Sequence, residues 1–444
     1  MDQLFSSKHQ LSIKKKENSH FSFLLKEIKS ELETDLNINP LFKKRIQIIL
    51  KDRTLKKYSP LRFFWAHLIE DYFYLINTES EDDLFEYWEK SEYCDSFFKL
   101  LDQGISISDS SAKLFEDIEN QILSFYYLHL NIDFKRPPYP LKYKIIPEIG
   151  DFNQRIYICD NHLFIDFKKT PRSLPFIAIK NISKKSLETN LGKQKINRPK
   201  PKIFNKSVSI LPTSNDGIKR SNEFKKRIEK ALSVIKRFSP DSYKTFLNFT
   251  HTILPINEPG IVSYSLQNLP GYSCINLFER DFIDLMDDLI HENGHHYLNS
   301  YLNFCELINE DDEKIYYSPW RNSLRPIRGI YHACFTFFWA LHLFGNLFRN
   351  LKKIDFLNES EKEKIASRFI EEYLMLNYCL PDLKHAFKNK KINKDGMKLI
   401  TMIYSQIKPF KKDLELAFNF LGDKSRLVAL KLDLEEKRKK YSLI

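Results

Sequence analysis

The segment RDFIDLMDDLIHENGHHYLNSYL constrains this chain more than any other, because it specifies a helix and a pair of ligand-type side chains together. Phe282, Ile283, Leu285, Met286, Leu289 and Ile290 alternate with Asp281, Asp284, Asp287 and Asp288 at helical spacing, and the apolar side continues through Tyr297, Leu298 and Tyr301. In the middle of this pattern His291, Glu292, Asn293, Gly294 and His295 spell HExxH. Residues four apart on a helix share a face, so two imidazoles can close on one metal ion from a single rigid element. A pattern with three fixed positions also arises by chance, and two exposed helical histidines need no metal. The packed amphipathic context favours a site. Gly294 weakens a helix interior by about 1 kcal/mol relative to Ala, which is understandable if another backbone approaches there. His296 points about 100° away from His295 and is expected to support the structure and not to ligate.

Composition sets broader limits. A chain of 444 residues with 42% apolar and 14% aromatic content is long enough for two or three domains and a large core, and excludes a disordered polymer. Eleven glycines favour helices over many tight turns. The six cysteines (Cys94, Cys159, Cys274, Cys305, Cys334 and Cys379) are scattered without a CxxC pair, which reads as reduced thiols in a cytoplasmic protein. The N-terminal stretch MDQLFSSKHQLSIKKKENSHF lacks the apolar run of a secretory signal. The most membrane-like run, Ile330 to Phe348, carries His332, His342 and Asn346 and is read as a buried core helix.

The apolar periodicity predicts an α+β fold, predominantly helical, with a small β region and a strand-turn-strand leading into the motif helix. Residues 1–140 read as a helical N-terminal region. Residues 141–215 read as short strands (RIYICD, HLFIDF, PFIAIK) with a basic loop, punctuated at their start by Pro137, Pro138 and Pro140. Residues 216–355 form the HExxH core: helical EFKKRIEKALSVIKRF and YKTFLNFTHTI, strands GIVSYSL and YSCINLF, the motif helix, an acidic loop, and an aromatic helix from about Gly329. Residues 356–444 read as C-terminal helices.

Charge is unevenly placed. The net charge is +12, and the segment from Lys168 to Arg237 alone holds 20 basic against 4 acidic residues. Such a segment either keeps the surface solvated or steers an acidic partner, such as the leader of a peptide substrate. KINRPKPKIFNK matches no nucleic-acid recognition module, so no nucleic acid is expected as a partner. The strand YSCINLF, just ahead of the motif helix, is placed to pair with an extended peptide by strand addition.

Metal chemistry needs a further ligand. Zinc hydrolases use three protein ligands plus an open position, and non-haem iron oxygenases need a facial set with room for cosubstrate and oxygen. Leu298 and Tyr301 occupy the Gly and third His positions of the HExxHxxGxxH pattern, which excludes the metzincin type. Glu306, Glu310 and Glu313 are available for a gluzincin arrangement, although ELINEDDEK reads as a solvated loop. His332, near the start of the aromatic helix, is the other candidate.

The two segments HENGHHYLNSYL and SPWRNSLRPIRGIYHACF resemble the HExxH-type peptide-modification family, which includes Fe(II), α-ketoglutarate-dependent peptide β-hydroxylases acting on ribosomally made peptides. The layout of SYSLQNLPGYSCINL upstream is also similar, and the resemblance covers roughly residues 255–350. It implies that His291, His295 and His332 together hold the metal and that Arg321 and Arg325 bind a carboxylate of α-ketoglutarate. A planar guanidinium offers two parallel donors to a carboxylate; a structural salt bridge to the acidic loop is the plainer role for each. The chain departs from the family pattern at Asn322, Ser323 and Leu324, where an acidic residue is expected between the arginines.

Glu292 separates the reaction classes as the candidate catalytic residue. In a zinc metallopeptidase it is the general base that activates water for attack on a peptide carbonyl. In a hydroxylase it orients a ligand or positions the substrate whose side-chain Cβ is oxidised. A non-catalytic peptide-binding protein with a degenerate site is the third possibility. Imidazole ligands suit both zinc and iron.

Overall fold

The computed structural model describes residues 4–56, 61–77, 220–265, 270–309 and 313–441, five short strands between 141 and 210, and a few positions between 118 and 126. The architecture is α+β and mostly helical. Helix α1 (Ser7–Thr34) opens where the Ser6 hydroxyl accepts from the His9 amide, and it buries Ile13, Phe21, Leu24, Ile28 and Leu32 at helical spacing. Helix α2 (Pro40–Leu50) starts at a proline preceded by an Asn39 cap, and α3 (Leu61–Ile76) follows. Within the N-terminal region expected to be helical, the apolar-periodic segments FSFLLKEIKSEL, PLFKKRIQIILKD and LRFFWAHLIEDYFYLI fall within α1, on α2 and on α3. Most of AKLFEDIENQILSFYYLHL, the strand PFIAIK and most of the basic segment before Arg220 lie outside the described residues.

Strands β1 (Leu141–Ile145), β2 (Gln154–Cys159) and β3 (His162–Phe167) pair as an antiparallel meander. A second sheet carries β4 (Lys202–Phe204), β5 (Val208–Ile210), β6 (Thr252–Ile256), β7 (Tyr264–Ser265) and β8 (Tyr272–Asn276) in the order β4-β5-β6-β8-β7. Its β5–β6 and β6–β8 pairs are parallel. Between β5 and β6 the chain forms α4 (Ser221–Phe238) and α5 (Pro240–Phe249). Two expectations change here. The residues THTI were read as the end of a helix, but α5 stops at Phe249 and Thr252 to Ile256 form a fully buried strand. A β-branched and apolar run covered on both faces suits a central parallel strand better than a helix end. Strand β8, expected to receive a peptide on its edge, is instead interior, paired to β6 on one side and to β7 on the other. Among the described residues the sheet's edge on this side is β7.

Helix α6 (Phe282–Leu302) is the motif helix, and Asp281 caps it by accepting from the amides of Ile283 and Asp284, each at 2.9 Å. It packs on the sheet and on α7 (Ile327–Arg349), the aromatic helix, which follows the hairpin of β9 (Tyr316–Ser318) and β10 (Ser323–Arg325). Asn322 at the hairpin turn adopts φ +47°, a conformation Asn tolerates better than most residues. Helix α8 (Glu359–Lys388), closed at its start by a reciprocal Asn358–Glu361 capping box, lies against α7; α9 (Lys394–Ile407), α10 (Lys411–Phe420) and α11 (Ser425–Lys440) complete the chain. Trp339, Phe335 and Phe338 of α7 are fully buried, and no helix among the described residues is long and apolar enough to cross a membrane.

Gly294 is where α6 and α7 come closest. A Cβ there would stand 3.0 Å from the Thr336 Cα and 3.4 Å from Trp339 Cγ. Gly294→Ala should therefore destabilise the protein: overpacking costs about 1–3 kcal/mol, against a gain in helix propensity of about 1 kcal/mol. A lowered thermal midpoint is the expected outcome, and a midpoint at or above wild type would show that the two helices have room to spare.

Candidate functional site

The motif helix is fixed on three sides before its histidines are considered. The Asn293 amide donates to the Thr250 hydroxyl at 2.9 Å, tying α6 to the end of α5. Tyr297 donates from its hydroxyl to the Leu4 carbonyl at 3.1 Å. His296 faces the sheet, where Nδ1 accepts from the Gly271 amide at 3.2 Å and Nε2 lies 2.8 Å from the Ser273 hydroxyl. With Nδ1 accepting, Nε2 carries the proton and donates to Ser273. The ring is thereby a neutral staple between helix and strand, and burial pushes its pKa down to about 3.

His291 and His295 project together from the opposite side, with ring centroids 5.2 Å apart. Imidazoles sharing one ion at the usual metal–nitrogen distance have centroids roughly 4.5–5.5 Å apart, so this pair is spaced as two ligands are. Among the described residues, His291, Glu292 and His295 form the group whose ligand atoms all lie within 4.8 Å of one another. His332 sits on α7 with its ring 6.3 Å from that of His295, so it must swing inward by about 1 Å to share an ion with the pair. Burial pushes His291 and His332 down to about 4 and also holds His295 well below the usual imidazole range, with neighbouring imidazoles adding to the effect on His295. Neutral imidazoles are the form that binds a metal.

Glu292 is buried beneath the pair. Burial raises its carboxyl to about 8, opposed by a hydrogen bond from the Ser265 side chain on β7 and reinforced by Asp288 and Asp287. Its Oε2 has no hydrogen-bond partner. An orphaned buried carboxylate oxygen beside two neutral imidazoles fits a divalent cation, since it supplies the missing electrostatic partner.

Of the two histidines, His291 lines a cleft of about 780 Å³, whose walls also include Glu292, Trp320, Arg321 and Phe337. Arg321 stands on the hairpin turn, exposed, with no ion pair among the described residues, and its charge contributes to depressing both His291 and His295. Arg325 lies at the end of β10, exposed and packed alongside Gly329, and does not line this cleft. Of the two predicted carboxylate-binding arginines, the structure thus brings only Arg321 to the histidines. Glu306 and Glu313 are exposed and away from the cleft, Glu313 being paired with Lys391 at 2.8 Å, and Glu310 lies outside the described residues.

Sequence reasoning did not single out several residues around the pair. Asp287 lies one turn before His291 and is the largest charge effect on it; its i−4 position was a readable signal. Ser265, Phe337, Arg368 and Glu372 come from distant elements, and no local pattern marks them. Compared with known proteins, the chain matches no protein-family model and no curated protein.

Two outcomes follow from this geometry. His291→Ala or His295→Ala should abolish stoichiometric metal binding while leaving the far-ultraviolet circular dichroism unchanged; a variant retaining full occupancy would make the pair structural. The pH dependence of the metal-free protein has a definite sign. The depressed histidines, His342 at about 3 included, remain neutral when folded but take up protons when unfolded below about pH 6.5, so acidification through that range removes stability. Glu292, raised to about 8, remains protonated when folded while the unfolded carboxyl ionises above about 4.5, so stability also falls as pH rises toward 8. Thermal melts should peak near pH 6.5, and Glu292→Gln should flatten the alkaline side.

Proposed function

We propose that this protein is a metal-dependent peptide-modifying enzyme, and that its reaction is Fe(II), α-ketoglutarate-dependent hydroxylation of a side-chain Cβ in a ribosomally made peptide. The observation that carries the reading is Arg321, which has no ion pair among the described residues and lines the same cleft as His291 and Glu292. A dicarboxylate cosubstrate bound beside a metal needs such a partner, and two parallel N–H donors match a carboxylate. The resemblance of the motif and hairpin segments to the HExxH-type family points the same way.

In this reading His291, His295 and His332 hold the metal. Iron with α-ketoglutarate and oxygen supplies the oxidation, releasing succinate and carbon dioxide as one oxygen atom enters the peptide. The protein's own groups bind and orient. Arg321 receives the distal carboxylate of the cosubstrate. Phe337, edge-on to His291 at 4.6 Å and stacked on Trp320 at 4.5 Å, forms an apolar wall that limits water beside the metal ligands. Glu292, anchored by Ser265, keeps a carboxyl oxygen on the cleft side of the helix, where it can orient a ligand or hold the substrate backbone. The peptide approaches along the outer edge of β7, whose neighbours Val262 and Ser263 line the cleft. A cytoplasmic setting agrees with the free thiols of Cys274, Cys305, Cys334 and Cys379.

Zinc peptidase chemistry is the second reading, and the unpartnered Glu292 Oε2 favours it, because a general base needs a free oxygen toward the cleft. The two readings separate cleanly. Reconstitution with Fe(II) without oxygen, followed by α-ketoglutarate, oxygen and small peptides encoded beside this gene, should yield succinate and a peptide heavier by one oxygen. A shortened peptide with no added oxygen and no need for α-ketoglutarate would assign the zinc peptidase instead.

A further inference from the structure

A series of contacts borders the cleft and passes through a half-buried cation and a buried carboxylate on α8 to which neither reading gives a role. It begins one helical turn before His291 at Asp287, the carboxylate whose charge acts most on that imidazole. The Asp287 carboxylate pairs with the Arg368 guanidinium through Oδ2. Arg368 lies 3.2 Å from Glu372 Oε1. The other oxygen of Glu372 accepts from the Trp320 indole at 2.9 Å. Trp320 stacks on Phe337 with the rings 3° from parallel, and Phe337 returns edge-on to His291. The series joins α6, α8, the hairpin turn and α7.

We propose that the Arg368–Glu372 pair is the positioning element of the site, holding Asp287 beside His291 on one side and the Trp320–Arg321 hairpin turn on the other. The proposal rests on the metal and cosubstrate reading above. Glu372 is fully buried, and a buried carboxylate is costly unless it is paired and hydrogen-bonded. Its two oxygens face in different directions, one to a cation and one to an indole, so a single side chain sets the register of two elements. Arg368 in turn bridges two carboxylates, and its charge is what lets Asp287 lie next to Glu372 without repulsion. Among the described residues Asp287 Oδ1 has no hydrogen-bond partner, and the carboxylate stands one helical turn before His291 on the same helix. Outer carboxylates of this kind fix the orientation of metal-binding imidazoles. On the far side, the hairpin turn is attached through Trp320, and Arg321 follows directly. Loss of the indole contact would leave the guanidinium on an untethered turn.

Two binding constants divide the roles. The full-length protein is titrated with Co(II), and the Co(II)-loaded protein is then titrated with α-ketoglutarate without oxygen, both by calorimetry. Glu372→Gln keeps an acceptor for Trp320 but loses the charge opposite Arg368; Co(II) binding should weaken about tenfold or more, the range seen when outer partners of metal ligands are removed, while α-ketoglutarate binding is spared. Trp320→Phe keeps the stack on Phe337 and loses only the bond to Glu372; it should bind Co(II) as wild type does and α-ketoglutarate severalfold more weakly. Arg368→Lys should recover part of the Co(II) affinity lost in Arg368→Gln. Variants whose melting temperatures fall without splitting the two constants would reduce the pair to a structural one and overturn the proposal, as would unchanged constants. Wild-type protein that takes up no Co(II) overturns the metal reading and the proposal together. Wild-type protein that takes up Co(II) but no α-ketoglutarate overturns the hydroxylase reading and the hairpin arm, while the Co(II) titrations of the variants still decide the Asp287 arm.

Discussion

The close approach of α6 and α7 at Gly294 is the constraint on which the site depends. His295 leaves α6 one residue after that glycine, and His332 leaves α7 one turn before Thr336, the residue the glycine touches. A side chain at position 294 would therefore press the two helices apart beside the place where His332 stands next to the His291–His295 pair. The glycine's cost in helix propensity is small against this geometric requirement. The same contact lets Trp339 pack against Tyr297 at 4.8 Å, so the histidines project from one side of a helix whose other side is locked into the aromatic core.

Charge organisation completes the clamp. Four aspartates on the first half of α6 would repel one another if left unopposed, and α8 answers most of them. Lys364 pairs with Asp281 at 2.6 Å and Asp284 at 2.7 Å, while Arg368, one turn further on, pairs with Asp287. The four-residue spacing on α8 matches the three- and four-residue spacing on α6, so two helices distant in sequence engage like opposed stripes. Asp288, turned the other way, is held by the Ser263 hydroxyl at 2.7 Å and Arg280 at 3.3 Å. The acidic side of the motif helix is thus a docking surface inside the protein as well as a polar face.

The elements most legible in the sequence were those written by local periodicity. The α3 helix and the motif helix follow from apolar spacing alone, and the close backbone approach at Gly294 follows from a glycine where a helix interior disfavours one. The strand Thr252–Ile256 was misread because THTI carries no breaker after an apolar helix, and because a strand buried on both faces shows no alternation. The interior position of β8 was hidden by the same misreading, because its second neighbour is β6, the strand taken for a helix end. At the site, the motif pair and Arg321 were legible because motif and neighbouring sequence mark them. Arg325 was grouped with Arg321 on the family resemblance, yet Arg321 stands on the hairpin turn and lines the cleft while Arg325 ends β10 and does not. Arg368 and Glu372 could not be found, since their partners lie about eighty and fifty residues away.

Glu292 links the fold to its chemistry. Its carboxyl lies beneath the imidazole pair in surroundings that favour the neutral form, with one hydrogen bond from Ser265 and one oxygen left without a partner. Three neighbouring imidazoles are also held neutral by burial, so the candidate ligands themselves carry no charge in the folded state, while the charged side chains of the cleft stand around them. A divalent cation entering such a pocket meets ligands that need not lose protons, except at Glu292, where its field favours ionisation. Binding is then coupled to the release of at most one proton, and the ionised carboxylate gains the partner its Oε2 lacks. Were the proposed cation bound, the charge state of Glu292 would follow occupancy, unlike that of a surface glutamate, which is ionised in either case. The motif residue that separates hydrolysis from oxidation is therefore also the residue through which the empty and filled states of the pocket differ most.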